Sequence, residues 1–158
     1  MFKVGIGYDV HQLAEGYKLM IGGVHVPFEK GTVGHSDGDV LIHAICDALL
    51  GAAGLGDIGQ MFPDDDASLK GIDSKVFLSQ ISYMLKTTCG YTIGNIDSTV
   101  CLQSPKISSF IPDMCASIAS AMKIDKNSVS VKATTTEKMG FVGTGEGISA
   151  YAVALINK

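Results

Sequence analysis

From Phe2 to His11 apolar and polar positions alternate: Phe2, Val4, Ile6, Tyr8 and Val10 are separated by Lys3, Gly5, Gly7, Asp9 and His11. A period of two predicts a β-strand, with Asp9 and His11 side by side on one face. Gly5 and Gly7 precede them on that face and leave it open to close approach. Next, Lys18 to Ile21 and Val24 to Val26 flank Gly22-Gly23. That pattern predicts a hairpin with a two-residue turn, ended by Pro27. Residues 28–38 read as a loop leading into a helix from Asp39 to Ala53. Gly54, Gly56 and Gly59 break the chain there. Residues 55–73 read as a long polar loop, and loops of that length in compact domains are often functional.

Ser74 is placed to cap a second helix, whose buried stripe is Val76, Phe77, Ile81, Met84 and Leu85. A strand follows over about 92–103, with Ile96, Ser98, Val100 and Leu102 opposing Asp97, Thr99, Cys101 and Gln103. Ile107, Ile111, Met114, Cys115, Ile118 and Met122 recur at helical spacing and predict a third helix. Val129, Val131 and Ala133 mark another strand. Residues 147–156 form the last, apolar enough to be central. No repeat, low-complexity segment or linker interrupts the pattern, so residues 1–158 read as one domain. Strands and helices mix without steady alternation. The expected class is α/β, an α+β two-layer sandwich with a mixed β-sheet packed against helices.

Composition narrows the function classes. Charged residues make up 18% of the 158 residues, below the roughly 25% of ordinary soluble domains. The mean hydropathy is +0.29, and so apolar a chain suggests an oligomer that hides part of its exterior. The net charge of −4 leaves no basic footprint for nucleic acid. No apolar run approaches the length of a membrane span, and the chain enters its first strand without a leader pattern. Cys46, Cys89, Cys101 and Cys115 form no Cys-x-x-Cys pair and read as reduced, which suits a cytoplasmic protein.

Asp9 and His11 on a strand, with His43 on the first helix, compose an Asp/His/His set. Three N and O ligands with one open position match a catalytic zinc site; a polar strand end is the plainer alternative. Asp39, His43 and Asp47 lie four apart on one helix face, so Asp47 is placed to hold the spare nitrogen of His43. Asp64-Asp65-Asp66 offers hard oxygens suited to Mg²⁺, and also reads as a solvated loop. Thr134-Thr135-Thr136-Glu137 follows a strand, where hydroxyls and backbone N–H groups suit phosphate and Glu137 suits Mg²⁺. Gly140 to Gly147 is glycine-rich, lacks the Gly-Lys-Ser/Thr of a Walker loop, and reads as a flexible loop. His35 reads as a loop histidine and Lys106 as a solvated lysine at a helix start. His25 receives no role.

Four segments carry a resemblance. Gly7-Tyr8-Asp9-Val10-His11, Gly34-His35-Ser36-Asp37-Gly38-Asp39-Val40, Gly56-Asp57-Ile58-Gly59 with Phe62-Pro63-Asp64, and Lys132 to Phe141 follow in order. They resemble the 2-C-methyl-D-erythritol 2,4-cyclodiphosphate synthases of the non-mevalonate isoprenoid pathway. The resemblance spans nearly the whole chain. It implies conversion of 4-diphosphocytidyl-2-C-methyl-D-erythritol 2-phosphate to the 2,4-cyclodiphosphate and CMP, by attack of the 2-phosphate on the β-phosphorus. It also implies Asp9, His11 and His43 as zinc ligands and Glu137 as ligand of a second ion, Mg²⁺ or Mn²⁺. His35 and Thr135 take the place of the transition-state stabilisers.

Substrate contacts are implied at Asp9, His11, His35 and Ile58, at Ser36, Asp57 and Gly59 on the methylerythritol phosphate, and at Phe62, Asp64 and Asp66 bordering it. On the cytidine diphosphate side they are implied at Leu102, Pro105, Lys106, Ile107, Ala133, Thr134, Thr135 and Glu137, and a further contact at Phe141. Members of the family are homotrimers with the sheets around a central channel, and each active site is shared between subunits. The chain departs at Thr144, where many members carry Arg, which removes a positive charge from the channel. Two other classes fit the same residues: a silent nucleotide- or metal-binding trimer, and a hydrolase giving CMP and a linear product.

Overall fold

The computed structural model describes residues 1–63 and 67–158. Strand β1 (Phe2–Glu15) runs antiparallel to the last strand, and the hairpin β2 (Leu19–Ile21) and β3 (Val24–Val26) follows it. Then come β4 (Lys30–Thr32), helix α1 (Val40–Ala53), the single turn α2 (Ile58–Met61) and α3 (Lys75–Thr87). The chain continues through β5 (Thr92–Cys101), α4 (Ile111–Met122), β6 (Val129–Thr134), the short α5 (Gly140–Gly143) and β7 (Gly147–Asn157). The main sheet has the order β4-β1-β7-β5-β6. Only the β5–β6 pair is parallel, so the sheet is mixed and β7 is central, as its apolar sequence suggests. Helices cover one face, giving the expected α/β layers.

Close packing of α1 explains the glycines of β1. A Cβ on Gly5 would sit 2.0 Å from the Ala48 carbonyl oxygen, and one on Gly7 would sit 1.9 Å from that of Ala44. Ala150, Ala152 and Ala154 of β7 continue the shallow bed. Into it α1 lays Ala44 and Ala48, and Leu41, Ile42, Ile45 and Leu49 of the same helix are fully buried around them. Asp39 is the N-cap of α1 rather than its first residue, and accepts the Ile42 N–H at 3.0 Å. Its carboxylate also takes the N–H groups of Gly22 at 2.9 Å and Gly23 at 2.6 Å. The β2–β3 turn, with both glycines at positive φ, is thereby tied to the start of α1. Gly54 closes the helix in the left-handed conformation.

The opposite face of the sheet is apolar and open. Phe2 is 74% exposed and Ile6 71%, with Val4, Tyr8, Val10, Tyr151 and Val153 beside them.

Some boundaries depart from the sequence pattern. The first strand runs on to Glu15, where Leu13↔Thr32 pairing adds the three-residue β4 inside the expected 28–38 loop. The 55–73 loop contains α2 and a 3₁₀ turn over Ala67–Leu69. The glycine-rich stretch at 140 is a helical turn rather than a free loop, because Gly143 and Thr144 N–H groups bond back to Met139 and Gly140.

Candidate active site

Asp9 and His11 leave β1 on the helix side, and His43 leaves α1 one residue before Ala44, where helix and strand touch. The close approach of the backbones brings the three side chains together. His11 Nε2 lies 2.9 Å from Asp9 Oδ2 and 3.2 Å from His43 Nδ1, and His43 Nδ1 lies 3.1 Å from Asp9 Oδ2. The other nitrogen of His11, Nδ1, donates to the Val33 carbonyl at 2.9 Å, which leaves Nε2 as the nitrogen facing the other two groups. Two imidazole nitrogens and a carboxylate oxygen thus converge. Four tetrahedral ligands around zinc stand about 3.3 Å apart, so the observed spacing suits such an ion with small relaxation. These three residues are the group among the described residues able to hold a metal in this way.

Electrostatics agree with a cation at this point. Burial acts to raise the Asp9 carboxyl, yet the hydrogen bonds and charges of His11 and His43 outweigh it and hold the group well below the ordinary carboxylate range. Burial acts to lower His11, and the hydrogen bond and charge of Asp9 prevail and raise it. At Asp39, burial pushes the carboxyl up while its three backbone donors pull it down, and burial prevails. Asp39 is committed to the fold by these three backbone bonds.

A cavity of about 290 Å³ opens onto the triad. Its walls include His35, Ser36, Ile58, Gly59 and Phe62, all expected as substrate contacts, and Phe77. The Phe62 and Phe77 rings stack with centroids 4.5 Å apart and give the cavity an apolar side. Asp57, beside Gly59 at its edge, caps α2: its carboxylate accepts the Gln60 N–H at 2.9 Å. Asp64 and Asp66 lie outside the described residues.

Asp47 does not hold His43. Its Oδ1 accepts the Ile58 N–H at 2.7 Å and so anchors α2 to α1. The spare nitrogen of His43, Nε2, instead meets Ser74 Oγ at 2.9 Å and Ser36 Oγ at 3.1 Å. Ser74 stands at the start of α3, as read from the sequence, but makes no side-chain cap. Its role beside His43 has no local signal, since the loop that fixes it comes from 37 residues away.

The remaining expected residues form a second cluster. Leu102 N–H bonds to the Thr134 carbonyl, and Lys138 N–H to Gln103 Oε1, so the 102–107 turn and the 134–138 turn are neighbours. Leu102 and Ile107 are buried beneath them; Lys106, Ala133, Thr134, Thr135 and Glu137 are exposed. Thr135 Oγ1 donates to Glu137 Oε1 at 3.2 Å, and Glu137 and Lys138 both adopt positive φ. This cluster sits at the end of β6, and β5 and β7 separate it from β1. Three strand spacings amount to about 14 Å, so Glu137 and Thr135 do not join the triad of the same chain. Phe141 lies against Gly147, lining an open depression with His11, Lys30 and Thr144. A further cavity, of about 550 Å³, opens between α3 and α4 at the other end of the sheet. Its lining contains no carboxylate or histidine, so it is not a metal site.

The profile of the YgbB family matches residues 2–157. The chain belongs to the YgbB family. Within the family it is similar to the 2-C-methyl-D-erythritol 2,4-cyclodiphosphate synthase of Alkaliphilus oremlandii (strain OhILAs), with 58% identity over 99% of this chain and 99% of that protein. Its fold matches that of the bifunctional IspDF from Campylobacter jejuni with a TM-score of 0.94 and 41% identity, over 99% of this chain and 42% of that one. It matches Plasmodium falciparum IspF in a CDP complex with a TM-score of 0.85 and 35% identity, over 98% and 95% of the two chains. The YgbB assignment agrees with the resemblance read from the four sequence segments.

Proposed function

We propose that this chain, acting over residues 1–158 as one domain, converts 4-diphosphocytidyl-2-C-methyl-D-erythritol 2-phosphate to 2-C-methyl-D-erythritol 2,4-cyclodiphosphate with release of CMP. The observation that carries this reading is the convergence of Asp9, His11 and His43 on a cavity shared with His35, Ser36, Ile58, Gly59 and Phe62. The nucleophile is already part of the substrate, so the protein's task is positioning and charge neutralisation. Asp9, His11 and His43 would hold Zn²⁺, which supplies Lewis-acid polarisation of a phosphoryl oxygen. His35 and Ser36 face the cavity and present donors to phosphate. The apolar side formed by Phe62 and Phe77 excludes water that would otherwise compete with the 2-phosphate.

The cytidine diphosphate side is assigned to the second cluster, with Lys106 and Thr134 on the diphosphate and nucleoside, Thr135 on the transition state, and Glu137 on Mg²⁺ or Mn²⁺. The roughly 14 Å between this cluster and the triad of the same chain supports a site shared between two copies. The open apolar face of β1 and β7 supports a homotrimer with the sheets around a central channel, since monomers rarely expose such a patch. A cytoplasmic location suits the free cysteines Cys46, Cys89, Cys101 and Cys115. Among the described residues no helix is long and apolar enough to cross a membrane.

The test is CMP release by the wild type and by two inactive variants, His43→Ala and Glu137→Ala, alone and mixed after subunit exchange. Activity regained on mixing supports a shared site. Full activity of His43→Ala alone contradicts the reading.

A further inference from the structure

Ser74 is fully buried at the N-terminus of α3, in a backbone conformation that already belongs to the helix, and it forgoes the capping bond a serine ordinarily makes there. Its Oγ lies 2.5 Å from Asp37 Oδ1 and 2.9 Å from His43 Nε2. The second oxygen of Asp37 takes the Ser74 backbone N–H at 3.2 Å, so Asp37 supplies the helix end from outside and frees the serine side chain. A carboxylate only accepts. The Ser74 hydroxyl proton must therefore point to Asp37, and toward His43 the same oxygen can only accept. His43 Nε2 must then carry a proton, so Nδ1 is the nitrogen left for a metal. Nδ1 is the atom that faces Asp9 Oδ2 and His11 Nε2.

We propose that Ser74, oriented by Asp37, is the positioning residue that locks His43 in the Nε2–H tautomer required for Nδ1 to ligate a metal. The inference rests on the metal-site reading given above. It assigns a task to two residues outside the ligand set and outside the substrate contacts. Ser36 Oγ, 3.1 Å from the same nitrogen, also receives the Gly38 N–H at 3.3 Å and borders the cavity. It also lies 3.3 Å from Ser74 Oγ, to which its hydroxyl proton can turn, and no carboxylate fixes that proton, so the partner of His43 held in one orientation is Ser74. Outer partners of this kind commonly change metal affinity by roughly 10–100-fold when removed.

The experiment compares Zn²⁺ affinity of wild type, Ser74→Ala and Ser74→Thr by chelator competition. It also records the ring nitrogen shifts of His43 by NMR in the metal-free proteins. The expected result is a roughly 10–100-fold weaker affinity for Ser74→Ala, recovery toward wild type in Ser74→Thr, and an Nε2–H signature in the wild type that becomes mixed in Ser74→Ala. The NMR of the wild type needs no variant, so the proposal stands or falls even where Ser74→Ala fails to fold. A wild type whose His43 carries no proton on Nε2 overturns it. Wild-type affinity in a folded Ser74→Ala overturns it while leaving the metal site intact. Absence of Zn²⁺ binding by the wild type overturns the metal-site reading and this inference together.

Discussion

Replacing Gly7 with alanine tests the link between strand packing and the site. The new Cβ would lie 1.9 Å from the Ala44 carbonyl oxygen and 2.7 Å from the Ala48 nitrogen, both backbone atoms of α1. An ordinary carbon–oxygen contact is about 3.3 Å, so helix and strand must part by about 1.4 Å, and overpacking of this kind costs about 3 kcal/mol. For a chain of this size that is a fall in Tm of about 6–12 °C. The same displacement carries His43, adjacent to Ala44, away from Asp9, two residues from Gly7. Metal sites tolerate shifts of about 0.2 Å in ligand distance, so Zn²⁺ affinity falls with stability. Calorimetry of the metal-free protein and chelator competition measure the two effects. Gly51→Ala is the control: it lies in α1 with nothing nearer to the new Cβ than the Ile6 oxygen at 3.9 Å. It is expected to stabilise the helix by about 0.5–1 kcal/mol. A Gly7→Ala protein with wild-type Tm and wild-type zinc affinity would refute the reasoning.

Other outcomes follow from the same contacts. Asp39→Ala leaves the N–H groups of Gly22, Gly23 and Ile42 without their acceptor and is expected to cost about 3 kcal/mol or more, read by urea denaturation. Glu137→Gln abolishes the response of CMP release to Mg²⁺ while leaving the bound zinc stoichiometry at the wild-type value; loss of zinc would place Glu137 at the wrong ion. Because His11 is raised above its ordinary 6.5 in the metal-free site, the proton there competes with the metal. Zinc affinity therefore weakens as pH falls through that raised value and is pH-independent well above it; titrations at several pH values check the sign. Ile6→Asp places a charge on the open apolar face and is expected to yield monomers by sedimentation, with CMP release lost although the triad is untouched.

The sequence makes the triad legible because each ligand obeys a short period. Asp9 and His11 share a strand face by alternation, and His43 sits on a helix announced by its own apolar run. The same alternation does not say which face of β1 is covered. The side bearing Gly5 and Gly7 lies against α1, and the side bearing Phe2, Val4 and Ile6 is open. Only the approach of α1 decides this, and that is a tertiary fact. Asp47 misleads for a related reason: helical spacing places it near His43, but the N–H of Ile58 competes for its carboxylate and holds it. The Ser74–Asp37 pair is invisible in the chain because two loops bring it together, whereas Ser74 as a helix start is plain. β4 and α5 were hidden by their length, since three or four residues establish no period.

The central claim is tested most directly by phosphorus NMR of the product formed from 4-diphosphocytidyl-2-C-methyl-D-erythritol 2-phosphate with Zn²⁺ and Mg²⁺, beside a chelated control. The account predicts a cyclic diphosphate and CMP in equal amounts, both absent after chelation. A linear phosphate product, or turnover that survives chelation, would contradict it.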